Sequence, residues 1–162
     1  MTIYVRVELD NVEGEWYYSY DADLDLLTAR RANAHFPTTT LAGTYDLIMK
    51  VDANQIISTL IATMGAAPKF WQLFPSLEVP IAQSGQVYLR NDIDDGQVQL
   101  YFTNLDYTIF YVCIGESGNT FDTLHILISQ QIILDVTKTG MLAGVWMLDL
   151  PPEIVEKHLM KR

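Results

Sequence analysis

The chain is poor in cysteine, in basic residues and in long apolar runs. Cys113 is its one cysteine among 162 residues, so no disulfide can form within the chain and nothing in its cysteine content indicates an oxidising compartment. No apolar run approaches the ~18 residues that a membrane-spanning helix needs. The first ten residues lack the basic and unbroken apolar stretches of a secretory signal. We therefore predict a soluble, cytoplasmic protein.

Lysine and arginine are scarce relative to the acidic residues. Ten basic side chains face twenty acidic ones, and the formal net charge is −10. Such a balance repels nucleic-acid phosphates and anionic lipids, so we expect neither nucleic acid nor a membrane as a direct partner. The hydrophobic share of 49% excludes intrinsic disorder. The length predicts a single globular domain over residues 1–162.

The motifs of the common catalytic sites are also missing. There is no Gly-x-Ser-x-Gly, no glycine-rich phosphate loop and no cysteine–histidine set at zinc spacing. Aspartate-rich segments begin at Asp21 and Asp92, but neither has the glycine and glutamate positions of a calcium loop. The sequence therefore favours a protein that is not an enzyme and that needs no cofactor or metal.

Hydrophobic periodicity near the start of the chain predicts strands followed by a helix. Apolar and polar residues alternate over 3–9, and aromatic residues recur at every second position over 16–20. We expect these two strands to pair with one another. A helix is expected next, with Asp21 or Asp23 as its N-cap and an end before Pro37.

The middle of the chain predicts a second helix and then a meander of strands. Residues 45–51 indicate a strand, and 52–65 carry the apolar stripe of an amphipathic helix. Strands over 86–93 and 97–105 flank Asp94-Asp95-Gly96, a sequence typical of a hairpin turn. A third strand of this meander is expected over 107–114.

Residues 120–138 fit two structures. Phe121, Leu124 and Ile128 mark one helical face, while the β-branched content also suits two strands meeting at Gln130-Gln131. The helix is the preferred prediction. A late strand over 145–150 and a terminal helix beginning at Pro151 or Pro152 complete the prediction. Together these elements predict an α+β fold, a mostly antiparallel sheet with helices packed on one face.

The leading functional prediction is a non-enzymatic binding or inhibitory module that engages a basic protein surface. Acidic residues occur beside aromatic ones near the start of the chain and around the expected central hairpin. Aromatic side chains are favoured at interfaces, and fixed negative charge steers a basic partner. The predicted contact residues are Glu13, Glu15, Tyr17, Asp92, Asp94 and Asp95.

Two alternatives remain open at this point. The first is a domain that binds or hydrolyses a small anion or nucleotide, with Arg30, Arg31 and His35 as anion ligands and with Asp122 and His125 as an acid–base pair on one helix face. A Ser-His-Asp triad is not expected there, since a helix face does not offer the sharp turn that a nucleophile needs. The second alternative is a homo-oligomeric structural subunit, suggested by the tyrosine-rich strands.

Overall fold

A computed structural model provides the structure of the chain. It describes residues 3–9, 15–32, 39–43, 47–63, 71–73, 77–90, 98–104, 106, 108–114 and 123–159. Strands dominate this described part, in which one short helix follows the last strand.

The elements are numbered in chain order. They are β1 (Val5–Leu9), β2 (Trp16–Asp21), β3 (Leu26–Arg31), β4 (Thr39–Gly43), β5 (Leu47–Val51), β6 (Ile57–Thr63), β7 (Trp71–Leu73), β8 (Gln83–Leu89), β9 (Val98–Thr103), β10 (Phe110–Ile114), β11 (Thr123–Ser129), β12 (Ile132–Thr137), β13 (Leu142–Met147) and α1 (Pro152–Leu159).

The strands form two sheets. The eight-stranded sheet has the order β1-β8-β11-β12-β13-β10-β9-β7, and the five-stranded sheet has the order β2-β3-β6-β5-β4. Most neighbours are antiparallel, but β8 and β11 run parallel, as do β7 and β9. Since parallel neighbours cannot be joined by a tight turn, the chain crosses between the sheets instead of forming one simple meander.

One apolar core joins the two sheets. Leu27, Leu60 and Met49 contribute to it from the five-stranded sheet, and Val112 and Leu134 do so from the eight-stranded sheet. Burial of these side chains is the main favourable contribution to folding. Each sheet therefore has one face against the core and one face turned away from it.

Hydrogen bonds also tie the two sheets together. The Tyr18 hydroxyl of β2 lies 2.7 Å from the carbonyl oxygen of Leu148 and 3.2 Å from that of Gln131. Ile154 of α1 is fully buried and joins the same apolar cluster. The helix is thus an addition to a β-structure rather than a layer over a sheet.

The predicted α+β fold with helices packed on one face is therefore wrong. Residues 26–31 form strand β3, in which Leu27, Ala29 and Arg31 are buried alternately. The Asp21 carboxylate caps a turn, where it accepts hydrogen bonds from the backbone N–H groups of Asp23 and Leu24. The same chemistry that caps a helix here begins a hairpin.

The helix predicted over 52–65 is also wrong. Its apolar stripe belongs to β6, the central strand of the five-stranded sheet. Ser58, Thr59, Leu60 and Ala62 are all buried, so the strand shows no clean alternation. A strand covered on both faces has a nearly continuous buried sequence, which a helical pattern can match by chance.

The predicted pairings were less accurate than the predicted strands. β1 pairs with β8, and β2 pairs with β3 in the other sheet. β8 and β9 are not neighbours in the described sheet, whereas the β9–β10 pair is confirmed. The expected turn at Asp94-Asp95-Gly96 lies outside the described residues.

The last quarter of the chain resolves the ambiguity over 120–138. β11 and β12 form an antiparallel hairpin that turns at Gln130-Gln131, so the two-strand alternative is correct and the preferred helix is wrong. The predicted terminal helix is confirmed as α1, and the predicted late strand is present as β13, which begins and ends three residues earlier than expected. Within the described residues, no helix has the length and apolar content required to span a membrane.

Candidate functional site

A row of four residues crosses adjacent strands on one face of the eight-stranded sheet. Cys113 of β10 lies opposite Gly144 of β13, which lies opposite Asp135 of β12, which lies opposite His125 of β11. Leu134 and Val136 belong to the core, so the alternation of side chains along β12 turns Asp135 to the other face. The residue that follows each of these four in its own strand is apolar and belongs to the core, so all four positions face away from the core.

Asp135 is the polar centre of this face. Its side chain is buried, and its carboxylate accepts hydrogen bonds from three other strands. His125 Nδ1 lies 2.6 Å from Oδ1, and Tyr111 Oη and Trp146 Nε1 each lie 3.1 Å from Oδ2. A buried carboxylate is costly unless such donors replace water. The three partners therefore make an acidic residue tolerable in an otherwise apolar strand.

The carboxylate also fixes the orientation of His125. Because Asp135 accepts at Nδ1, the neutral imidazole carries its proton there and presents a lone pair at Nε2. The His125 side chain is partly exposed, at 29%. Such a histidine can accept a proton, accept a hydrogen bond or bind a metal ion.

Gly144 allows the Tyr111 ring to reach Asp135. A Cβ atom at position 144 would lie 2.7 Å from Tyr111 Oη and 2.8 Å from Cε2. The ring stacks on Trp146 with a centroid distance of 4.2 Å. The Phe102 ring also stacks on Tyr111, with a centroid distance of 6.0 Å. Burial, together with the Asp135 charge, raises the pKa of the Tyr111 phenol.

Cys113 is held apart from His125, and its surroundings favour the thiol over the thiolate. Burial raises the pKa of its thiol, and the Asp135 charge acts in the same direction, so the unreactive protonated form is favoured. Two strands separate it from the strand of His125, which places the two backbones about 14 Å apart at the usual strand spacing. A cysteine–histidine pair is not formed.

The basic residues proposed as anion ligands do not converge on His125. Arg31 faces the core and forms a buried ion pair with Asp52 at 2.7 Å. Arg30 is exposed on the opposite face of the same strand. Both belong to the five-stranded sheet, whereas His125 lies in the other one. His35 and Asp122 lie outside the described residues, and His125 pairs with Asp135 instead of sharing a helix face with Asp122.

Two of the six predicted contact residues lie in the described part. Glu15 and Tyr17 are exposed at the start of β2, and the Tyr17 hydroxyl donates a hydrogen bond of 3.0 Å to the Glu15 carboxylate. That bond and the Glu15 charge raise the pKa of Tyr17. Glu13, Asp92, Asp94 and Asp95 lie outside the described residues.

The hairpin of β2 and β3 extends this exposed surface. Its outer side carries Glu15, Tyr17 and Asp21, and its turn carries Asp23 and Leu24. We call these five residues the acidic hairpin. Tyr17 is 56% exposed and Leu24 is 66% exposed, so apolar surface lies beside three carboxylates. Arg30 lies opposite Tyr17 on β3 and offsets part of the charge.

The sequence did carry a signal for Asp135 that the prediction missed. Residues 132–137 read Ile-Ile-Leu-Asp-Val-Thr, with one charge in an apolar strand. A lone carboxylate in such a setting is typical of a buried, hydrogen-bonded group. Tyr111, Trp146 and Gly144 carried no comparable signal, because their roles depend on strand pairings made far along the chain.

No metal centre is formed by the described residues. They contain no group of three or more histidine, cysteine, aspartate or glutamate side chains arranged to hold a metal ion. Comparisons of the sequence with family models and with curated proteins found no match.

Proposed function

We propose that this chain is a non-enzymatic binding domain that engages a basic protein surface through the acidic hairpin. The supporting observation is the exposure of Tyr17 and Leu24 among the carboxylates of Glu15, Asp21 and Asp23. Exposed apolar groups supply contact area, and the surrounding negative charge selects and steers a positive partner. The net charge of −10 acts in the same direction at longer range.

The hairpin is also built to hold its shape. The Asp21 carboxylate accepts two backbone N–H groups of the turn, and the Tyr20 hydroxyl donates to Asp25. A surface that is ordered before binding loses less conformational entropy on association. A reducing cytoplasm suits the single free cysteine, so we retain that location within the proposal.

A charge-matched pair of variants tests this function. The hairpin variant is Glu15→Gln/Asp21→Asn/Asp23→Asn, and the control is Glu78→Gln/Glu153→Gln/Glu156→Gln, which removes three exposed carboxylates elsewhere. The probe is a lysine-rich peptide measured by fluorescence anisotropy at low and high salt. We expect salt-sensitive binding that the hairpin variant weakens about tenfold and the control weakens much less.

Two results would contradict the proposal. Equal losses in both variants would mean that the probe reads net charge and not the hairpin. Binding that ignores ionic strength would exclude an acidic interface of any kind.

A second candidate function is a small-molecule site at His125. It is favoured by the 2.6 Å bond that holds Nδ1 to Asp135 and leaves Nε2 as an acceptor. A thermal-shift screen with nucleotides and divalent metal ions is the test, since a ligand at a hundredfold excess over its Kd adds about 2.7 kcal/mol to stability. A shift that disappears in His125→Gln would support this site, and no shift across the panel would reject it.

A further inference from the structure

β2 is an edge strand, and one hydrogen bond shows which of its backbone groups face the outer edge. It lies at the end of the five-stranded sheet, with β3 on its inner side. The Glu15 carbonyl accepts from the N–H of Ala32, so Glu15 and every second residue after it point their backbone groups at β3. The backbone groups of Trp16, Tyr18 and Tyr20 therefore point to the outer edge, where no described strand pairs with them.

We propose that β2 binds its partner by strand addition, with an extended segment of the basic protein pairing along this edge. The inference rests on the proposed function and specifies how the contact is made. A strand of six residues offers a row of backbone donors and acceptors, which is the template that strand-adding ligands use. β2 has no proline and no lysine to block it.

The residues on the two faces of β2 indicate which side chains the added strand contains. On the outward face, side chains of the added strand would lie beside Glu15, Tyr17 and Asp21. Lysine or arginine at those positions of the added strand matches the acidic residues. On the other face, Tyr18 and Tyr20 are half-buried against the core, and apolar side chains would extend that cover. The partner segment therefore alternates basic and apolar residues.

The tyrosines of the inner face are held in place before any partner arrives. Tyr18 bonds to backbone carbonyls of the other sheet, and Tyr20 bonds to the buried Asp25. Their rings thus form a fixed apolar border along the edge. Preorganisation of this kind favours a specific contact over a loose electrostatic one.

A second copy of the chain is a poor occupant of the same edge. Antiparallel self-pairing with Tyr18 opposite Tyr18 would set Glu15 of one copy against Asp21 of the other, and by symmetry it would do so twice. Like charges directly opposite one another destabilise a strand pair. In this register the edge disfavours a second copy and favours a basic strand.

The experiment compares synthetic peptides that share one composition. The first alternates lysine and valine, and the second has its lysines and valines in separate blocks. Two further versions of the first carry N-methyl groups on either the lysine or the valine amides, which removes the hydrogen-bond donors of one edge at a time. Affinity is measured by anisotropy, and amide hydrogen exchange is followed at Trp16, Tyr18 and Tyr20.

We expect the alternating peptide to bind at least about tenfold more tightly than the block peptide, and one methylated version to lose that advantage while the other keeps it. Exchange at Trp16, Tyr18 and Tyr20 should slow when the alternating peptide binds. Equal affinity of all four peptides, or unchanged exchange, would overturn strand addition and leave charge-driven docking intact. Binding by none of them would reject the proposed function itself.

Discussion

Gly144→Ala is expected to disrupt the Asp135 cluster through a single methyl group. The new Cβ would lie 2.7 Å from Tyr111 Oη, 2.8 Å from Cε2 and 3.0 Å from Cζ. Real Cβ atoms do not approach other atoms so closely, and the ring cannot stay where it is. Tyr111 would lose its 3.1 Å hydrogen bond to Asp135 and its stacking on Trp146.

The expected cost follows from these two contacts. A hydrogen bond to a charged acceptor contributes about 1.5–3 kcal/mol, and an aromatic pair adds about 0.5–1.5 kcal/mol. Replacing a strand glycine by alanine returns about 0.5–1 kcal/mol of backbone entropy. We therefore expect Gly144→Ala to lower the free energy of unfolding by about 1–4 kcal/mol, as measured by urea denaturation.

A double-mutant cycle with Tyr111→Ala provides the control. Without the ring there is nothing for the new methyl group to meet, so Gly144→Ala should become neutral or stabilising by up to about 1 kcal/mol in that background. The change of sign is the signature of direct contact. A loss of similar size in both backgrounds would refute the account and would place the strain in the β13 backbone.

Three further predictions concern other parts of the described structure. Asp52→Ala should lower the free energy of unfolding by about 3–5 kcal/mol, because it removes the carboxylate that pairs with the buried Arg31 guanidinium and accepts the backbone N–H groups of Asn54 and Ile56. Urea denaturation of Asp52→Ala and of Arg31→Met/Asp52→Leu tests this, since the paired replacement should recover the part of the loss that comes from the buried charge but not the part that comes from the two N–H groups. Burial, followed by the Asp149 charge, raises the pKa of Tyr18, and burial does the same for Tyr111. Because the unfolded phenols ionise near pH 10 and the folded ones do not, their contribution to stability is fully present below pH 10 and falls above it by about 1.4 kcal/mol per pH unit for each phenol. Tyr18→Phe should therefore make this fall less steep in denaturation curves at pH 8–11. Gln55 has a φ of 65°, so Gln55→Gly should stabilise the fold by about 0.5–1 kcal/mol, and a thermal melt showing a loss would contradict the strain argument.

Local signals in the sequence were sufficient for several strands but not for their partners. The alternation over 3–9 and 16–20 correctly predicted β1 and β2, yet placed them beside each other. Strands that are adjacent in the chain usually pair. Here β1 and β2 belong to different sheets, and their apolar residues pack into the one core that the sheets share. Long-range pairing depends on the whole set of strands, which no short window of sequence contains.

The predicted partner of His125 depended on the structure assigned to residues 120–138. With residues 120–138 taken as a helix, the neighbours of His125 are three or four positions away, and Asp122 becomes its partner. With a turn at Gln130-Gln131, the antiparallel register fixes Asp135 as the residue opposite His125. The β-branched content of this segment was the better guide, because strand preference and burial agreed with each other.

β1 and β2, two of the four strands that end the described sheets, are protected in different ways, and the difference bears on function. The start of β1 is covered, since Val5 N–H donates to the Gly140 carbonyl and the Ile3 carbonyl accepts from Leu142 N–H. β2 has no such cover among the described residues, and its outward face carries acids instead. A covered edge excludes every strand, whereas a charged edge excludes only strands of like charge. If aggregation were the sole constraint, cover would serve for both edges; charge leaves β2 open to a basic strand, and that selectivity is what a binding edge requires.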